Sequence, residues 1–190
     1  MTPTEFKNKW LSQEDEGWST FPANKVEQSN LSEQTKDFLK IGLPDSAAPY
    51  LSFEPITSGN FQTIYEYYDH EGLGEETKNY WIIGSDGAGD PICIDAANND
   101  KIILLDHEQD FVLLDNMNTN ISELASSLLI FRNFIKRINK KFGPNGFGDS
   151  LFTEKELSEL QQELKALHPE YYVNGSFWDT QIEELRDEIS

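Results

Sequence analysis

Residues 82–95 read IIGSDGAGDPICID, and this stretch decides the fold. A glycine-rich acidic turn, Gly84–Asp90, separates two apolar runs of the kind that favours β-strands. A third apolar run follows at Lys101–Asp106. Because the connections are too short for a parallel crossover, these runs predict an antiparallel meander. Its strands are expected at the following positions: Tyr80–Ile83, Ile92–Asp95, Lys101–Asp106 and Phe111–Leu114.

The three glycines of the turn predict a backbone with positive φ, which glycine adopts without steric cost. These structural turn residues are Gly84, Gly87 and Gly89. The turn is not a P-loop, because no Gly-Lys-Ser/Thr follows it, and it is not a dinucleotide fingerprint, because a strand rather than a helix comes next. We therefore expect the glycines to shape the turn rather than to hold a cofactor.

Helices are expected on both sides of the meander in the sequence. Thr4 is the predicted cap of a first short helix, and Gln13–Asn30 is predicted to be mostly loop. Ser32 is the predicted N-cap of a helix through Lys40, which Gly42 ends. Before the meander, the aromatic and β-branched run Ile64–Tyr68 favours a further strand.

The clearest helix begins at Asn120. Apolar residues recur at helical spacing after it, and the predicted helix ends with the basic segment Phe131–Phe142. A capping box at Thr153 predicts a second helix through Leu167, and the last helix is expected after Ser176. These patterns predict an α+β fold: a mainly antiparallel meander sheet flanked by N-terminal and C-terminal helices, the latter covering one face. We expect one domain over residues 1–190, with a core at about 31–142 and a C-terminal helical extension at 151–190.

Composition limits the class of protein. The chain has 190 residues, and its aromatic content of 12% is typical of a folded domain rather than a disordered one. A single cysteine, Cys93, excludes an intrachain disulfide and a cysteine-rich zinc site, and its apolar neighbours predict that it is buried. No apolar run reaches membrane-spanning length, so we expect no membrane contact and a reducing, cytoplasmic location.

The net charge of −19 is the strongest signal in the composition. It disfavours a nucleic-acid partner, since phosphate binding depends on Lys and Arg. It is compatible with a basic protein partner, and equally with an acidic surface that serves only solubility. Five of the 15 basic residues lie in residues 131–142, FRNFIKRINKKF, at the expected end of a helix. Ordinary charge placement at a helix end is the favoured interpretation there, and a binding role stays open.

No convincing catalytic or metal-binding pattern is present. The acids Asp86, Asp90 and Asp95 lack the spacing of an EF-hand loop. Asp106 and His107 are adjacent on one strand end, where neighbouring side chains point in different directions. We therefore expect no enzyme activity, no metal and no cofactor.

Several segments in order resemble the SUKH superfamily (Smi1/Knr4-like proteins), and within it the SUKH-4 type of bacterial immunity protein. The matching pieces are residues 38–44 (FLKIGLP), 48–53 (APYLSF), 83–95, 105–108 (LDHE) and the helix at 121–131. The resemblance implies an α+β fold with a mainly antiparallel sheet. It also implies a non-enzymatic cytoplasmic antitoxin that binds and blocks a cognate polymorphic toxin, often a nuclease or deaminase. The family has no shared catalytic residues, so the resemblance implies no active site.

The partner-binding residues expected on this basis lie in and beside the meander turns: Asp86, Asp90, Asp95, Asp106 and His107. The partner is expected to be a basic toxin protein, and the chain itself a monomer or weak homo-oligomer. Two alternatives stay open from the sequence. One is a regulatory scaffold that binds another cellular protein, and the other is an enzyme that uses Asp106, His107 and nearby acids.

Overall fold

The structure is a computed structural model that describes residues 1–11, 17–53, 60–68, 72–167, 169 and 172–189. The helices in these residues are α1 (Pro3–Trp10), α2 (Ala23–Gln28), α3 (Glu33–Ile41), α4 (Ile64–Tyr68), α5 (Ile121–Phe142), α6 (Glu154–Leu167) and α7 (Phe177–Glu188). Two short 3-10 helices lie at Glu75–Asn79 and Ala96–Asn98. None of the helices in the described residues is long and apolar enough to span a bilayer.

The strands are β1 (Trp18–Ser19), β2 (Leu43–Pro44), β3 (Ser46–Ala47), β4 (Leu51–Ser52), β5 (Tyr80–Ser85), β6 (Pro91–Asp95), β7 (Lys101–Asp106) and β8 (Val112–Asn118). β1 and β2 form a small antiparallel pair. The other six form one sheet in the order β3-β4-β5-β6-β7-β8, with every neighbouring pair antiparallel. The predicted α+β fold with an antiparallel meander and flanking helices is confirmed. β8 is longer than predicted, and Phe111 lies in the turn before it.

The sheet has a buried cluster on each face, as strand alternation requires. The larger cluster contains Ile83, Ile92 and Leu104 and packs under α1, α3, α5, α6 and α7. The smaller one contains Cys93 and Leu105 and packs against α4. The C-terminal helices thus cover one face, while α4, at the segment predicted as a strand, covers part of the other. Burial raises the pKa of the Cys93 thiol well above its usual value.

The segment 64–68 is a helix rather than the predicted strand. Thr63 and Glu66 form a capping box at its start: Thr63 N–H donates to the Glu66 carboxylate at 3.0 Å, and Glu66 N–H donates to the Thr63 hydroxyl at 3.2 Å. These bonds satisfy amides that a strand would have paired with a neighbour. They outweigh the β-propensity of Ile64 and the tyrosines, and Ile64 is buried under the sheet.

Two predictions in the N-terminal region were also wrong in detail. The cap of α1 is Thr2 rather than Thr4, because Thr2 and Glu5 form a capping box. The predicted loop 13–30 contains β1 and α2, while its residues 13–16 lie outside the described part of the chain. The predicted caps of the other helices are confirmed at Ser32 and Asn120.

The C-terminal helices share the larger cluster with the rest of the fold. Leu157, Leu160 and Leu164 of α6 are buried at the predicted helical spacing. The indole of Trp178 on α7 lies 6.4 Å from the Phe131 ring on α5, centroid to centroid. Residues 151–190 therefore contribute to the main core through their described side chains.

Candidate functional site

Three turns meet at one end of the sheet, which we call the turn end: residues 48–50, 86–90 and 107–111. The strand pairing places them there, because Ser85 pairs with both Ser52 and Pro91, while Asp106 pairs with Val112. Most of the residues that the sequence predicted as partner contacts lie here. They are Asp86, Asp90 and His107, together with Asp106, the last residue of β7 before the third turn.

Asp86 closes the turn between β5 and β6. Its carboxylate Oδ1 accepts hydrogen bonds from the backbone N–H of Ala88 and of Asp90, both at 2.9 Å. The Asp86 N–H donates in turn to the Asp90 carbonyl at 3.0 Å. The side chain thus replaces part of a backbone turn, which is a common use of aspartate. Its carboxylate holds the turn in shape and carries a fixed negative charge.

The glycines of this turn have different roles, and the prediction of positive φ is confirmed only at Gly89, with φ of +91°. Gly84 lies at an irregularity of the β5–β6 pairing, where a Cβ would stand 2.1 Å from the Ser52 carbonyl oxygen. A Cβ on Gly87 would stand 3.0 Å from the Tyr50 Cβ. Gly84 is therefore required for the close approach of neighbouring backbone rather than for unusual dihedral angles, and Gly87 lies in tight contact with Tyr50.

Asp90 and His107 connect two of the turns. The imidazole Nδ1 of His107 lies 2.7 Å from Asp90 Oδ1, and the His107 backbone N–H donates to the same oxygen at 3.0 Å. The Asp90 carboxylate accepts a hydrogen bond from the His107 ring and thereby raises the pKa of His107. One carboxylate therefore positions both the backbone and the ring of a residue 17 positions away in the sequence.

Asp106 is used within the third turn. Its carboxylate accepts from the backbone N–H groups of Glu108 and Gln109 at 2.8 and 3.1 Å, and from the Gln109 amide at 2.6 Å. Glu108 and Asp110 are exposed. Asp106 and His107 thus bond to separate partners rather than to each other, and the acid that pairs with His107 is Asp90.

Asp95 lies at the opposite end of the sheet, away from the other predicted contacts. It is only 5% exposed, and its carboxylate accepts from Ala97 N–H at 3.0 Å and from the Asn98 amide at 2.5 Å. Asp100, in the same turn, accepts from Ser32 N–H at 2.9 Å at the start of α3. Both acids at this end stabilise the fold.

Tyr50 is a prominent surface residue that the sequence argument did not select. It is 81% exposed. Its backbone is in the left-handed region, with φ of +52°, and the residue follows the cis peptide bond between Ala48 and Pro49. It lies next to Gly87, so its ring stands beside the acidic turn. The tripeptide Ala48-Pro49-Tyr50 indicated a turn, but no local signal in it indicated the exposure of the ring.

The basic run at the end of α5 is largely bonded within the protein. Arg137 pairs with Glu163 of α6 at 2.8 Å, and Lys141 pairs with Glu156. The Arg132 guanidinium stacks 4.6 Å from the Trp10 ring centroid. These contacts connect α5 to α6 and α1, in agreement with the interpretation of ordinary charge placement.

A cleft of about 790 Å³ opens between α5, α7 and the turn 48–50, with Tyr50 at its rim and Trp10 and Arg132 in its wall. Gly17, which follows the undescribed residues 12–16, also lines it. Within the described part of the chain, no three His, Cys, Asp or Glu side chains are placed to hold a metal ion. The turn end carries the exposed ring of Tyr50 and the exposed acids Glu108 and Asp110, and an exposed tyrosine is suited to recognition of another protein.

Comparison with known proteins gives one match. A family model described as SUKH-4 immunity protein matches residues 12–184. No curated protein and no solved structure matches the chain. The match spans the sheet, the turn end and nearly all of the C-terminal helices.

Proposed function

The chain belongs to the SUKH-4 immunity protein family, and we propose that it neutralises a cognate toxin by stoichiometric protein–protein binding. The family points to a non-enzymatic role in toxin immunity. The observation that supports the turn end as the toxin-binding surface is the arrangement of its side chains. Its acids are held by hydrogen bonds to the turns themselves, and Tyr50 projects beside them. An exposed tyrosine is a common anchor of protein–protein interfaces, and charged groups are typical of their rims.

The proposed partner is a basic toxin domain, such as a nuclease or a deaminase acting on nucleic acid. A chain with a net charge of −19 repels nucleic acid and attracts a cationic protein. Such a toxin needs a positively charged groove for its own substrate, and an acidic surface can occupy that groove. The charge also accelerates encounter at low salt, so binding should weaken as ionic strength rises.

We place this activity in the cytoplasm and in a monomer or weak homo-oligomer. The test is to co-express this chain with the protein encoded by the neighbouring gene. The expected result is that the pair grows where the neighbour alone is toxic, and that a 1:1 complex is purified. If the neighbour is toxic and the chain neither restores growth nor co-purifies with it, the proposal is wrong.

Variants locate the surface. Glu108→Lys and Tyr50→Ala change exposed side chains of the turn end, and each should weaken the complex about tenfold or more if the turn end is the contact. Asp187→Lys is the matched control, because Asp187 is an exposed acid on α7. Equal affinity for all three variants and the wild type would place the contact elsewhere on the molecule.

A further inference from the structure

The first half of β8 is an apolar surface that the fold leaves open. Val112, Leu113 and Leu114 are 52%, 52% and 46% exposed, and we call residues 112–114 the open edge. β8 is the last strand of the sheet, with no strand on its outer side among the described residues. Its second half differs, because Met117 and Asn118 are buried. The opening is thus confined to the half that joins the turn end.

An open strand edge is unusual without protection. Alternate residues of an antiparallel edge strand direct N–H and C=O groups away from the sheet, where another chain can pair with them. Soluble proteins commonly block such edges with lysine, proline or a covering segment. The open edge has neither residue type. A register shift interrupts its pairing with β7 at Leu114, between the pairs Leu105–Leu113 and Leu104–Asp115, and three consecutive apolar side chains stay exposed there. This composition fits a surface that is covered in a complex.

The charge around the open edge selects the kind of partner. From Ile102 to Phe131 the chain has five acids and no lysine or arginine. The exposed acids Glu108 and Asp110 precede the open edge, and the half-buried Asp115, whose carboxylate accepts from Asn116 N–H, follows it. A second copy paired through this edge would set acids against acids in either strand orientation, which is unfavourable. A partner strand that carries lysine or arginine would instead be attracted by these acids.

We propose that the open edge takes up an extended segment of the partner, which adds a strand to β8 and carries lysine or arginine beside apolar side chains. This inference rests on the proposed function and specifies its mode of contact. Backbone pairing supplies affinity, and the acids on either side select a basic sequence. The turn end lies directly before β8, so one partner contacts both surfaces at once.

The test in the complex uses Leu113→Lys/Leu114→Lys. Lysine is tolerated on a solvated edge, so the fold is expected to survive, while the edge becomes cationic and repels a cationic strand. We expect affinity for the co-expressed toxin to fall at least about tenfold. Leu151→Lys is the matched control, since Leu151 is 44% exposed and lies outside the sheet. Leu113→Ile/Leu114→Ile should retain binding.

A second measurement does not depend on the toxin. A short synthetic peptide in which lysine alternates with valine and threonine is titrated into the free protein, with a glutamate version as the control. We expect the lysine peptide alone to slow amide hydrogen exchange at residues 112–115, and its binding to weaken with added salt.

The outcomes separate the two proposals. A toxin complex that is unaffected by the double lysine variant overturns the open-edge inference and leaves the proposed function standing. Absence of any complex, together with protection by the lysine peptide, removes the proposed function and keeps the edge as a site for cationic strands. If the free wild-type protein is instead a dimer that the double lysine variant dissociates, the occupant is a second copy and the inference is wrong.

Discussion

Replacing Gly84 with alanine places a methyl group against the backbone of β4. The new Cβ would stand 2.1 Å from the Ser52 carbonyl oxygen and 3.0 Å from the Phe53 ring. Real contacts of this kind are essentially never shorter than 3.0 Å, so the chains have to separate by at least about 0.9 Å. The nearest atom belongs to the backbone, and a side-chain rotation cannot relieve the contact.

The expected cost follows from the position of the contact, which is next to the residues that pair β4 with β5. The register of β4 with β5 rests on a single pair, Ser52 with Ser85. Overpacking at a buried site costs about 1–3 kcal/mol, and the Gly84 site is at the upper end because the contact is to backbone. We therefore expect Gly84→Ala to lower the free energy of unfolding by about 2–3 kcal/mol. In a chain of this size that corresponds to a fall in Tm of about 5–10 °C.

Urea unfolding of the wild type and of Gly84→Ala measures this loss. Amide hydrogen exchange should also accelerate at residues 51–52 and 84–85, because the strands that separate are β4 and β5. Gly148→Ala is the control, since a Cβ there meets nothing closer than 3.7 Å and its stability should change by less than about 0.5 kcal/mol. If Gly84→Ala is as stable as this control, the argument from close approach is refuted.

Three further predictions concern other parts of the fold. NMR titration of the His107 ring should give a pKa above about 6.5, and Asp90→Asn should lower that pKa. The stability that this contact contributes is complete below the pKa of His107 in the unfolded chain and is lost as pH rises through the higher pKa of the folded protein. A His107 pKa that is not raised would contradict the contact. Asp100→Ala should cost about 1–3 kcal/mol in urea unfolding by removing a buried acceptor at the start of α3, whereas Asp100→Asn, which keeps a carbonyl, should cost less. Trp178→Ala should cost about 3–5 kcal/mol in one cooperative transition, because the ring packs on Phe131; a separate early transition would show that the C-terminal helices unfold on their own.

The meander and the long helix could be predicted from the sequence because their signals are local. Apolar runs such as Ile102–Leu105 joined by brief polar turns leave few alternatives to antiparallel pairing, and the cap at Asn120 precedes a continuous helical stripe. The helix at 64–68 was missed although its capping box, Thr63-x-x-Glu66, was readable. Because the segment has only five residues, its aromatic and β-branched composition favoured a strand, whereas the capping box at Thr63 and Glu66 determined the helix.

The candidate site could be predicted only in part, since its geometry depends on contacts between distant residues. The sequence identified Asp86, Asp90 and His107, but their convergence follows from the order of the strands. Asp95 has the same local setting as Asp90, an acid at a strand end, and only the direction of β6 puts the two at opposite ends. The exposure of Tyr50 and of the open edge could not be predicted, because it depends on what the helices leave uncovered.

The internal bonding of the acidic turns affects the entropy of binding. A mobile side chain loses about 0.5–1.5 kcal/mol of rotamer freedom when a partner immobilises it. The carboxylates of Asp86 and Asp106 are already immobilised by backbone N–H groups of their own turns, so this loss occurs during folding and not during association. The turn end therefore presents a rigid array of charge, and a complementary partner binds it with little loss of conformational freedom on this side of the complex.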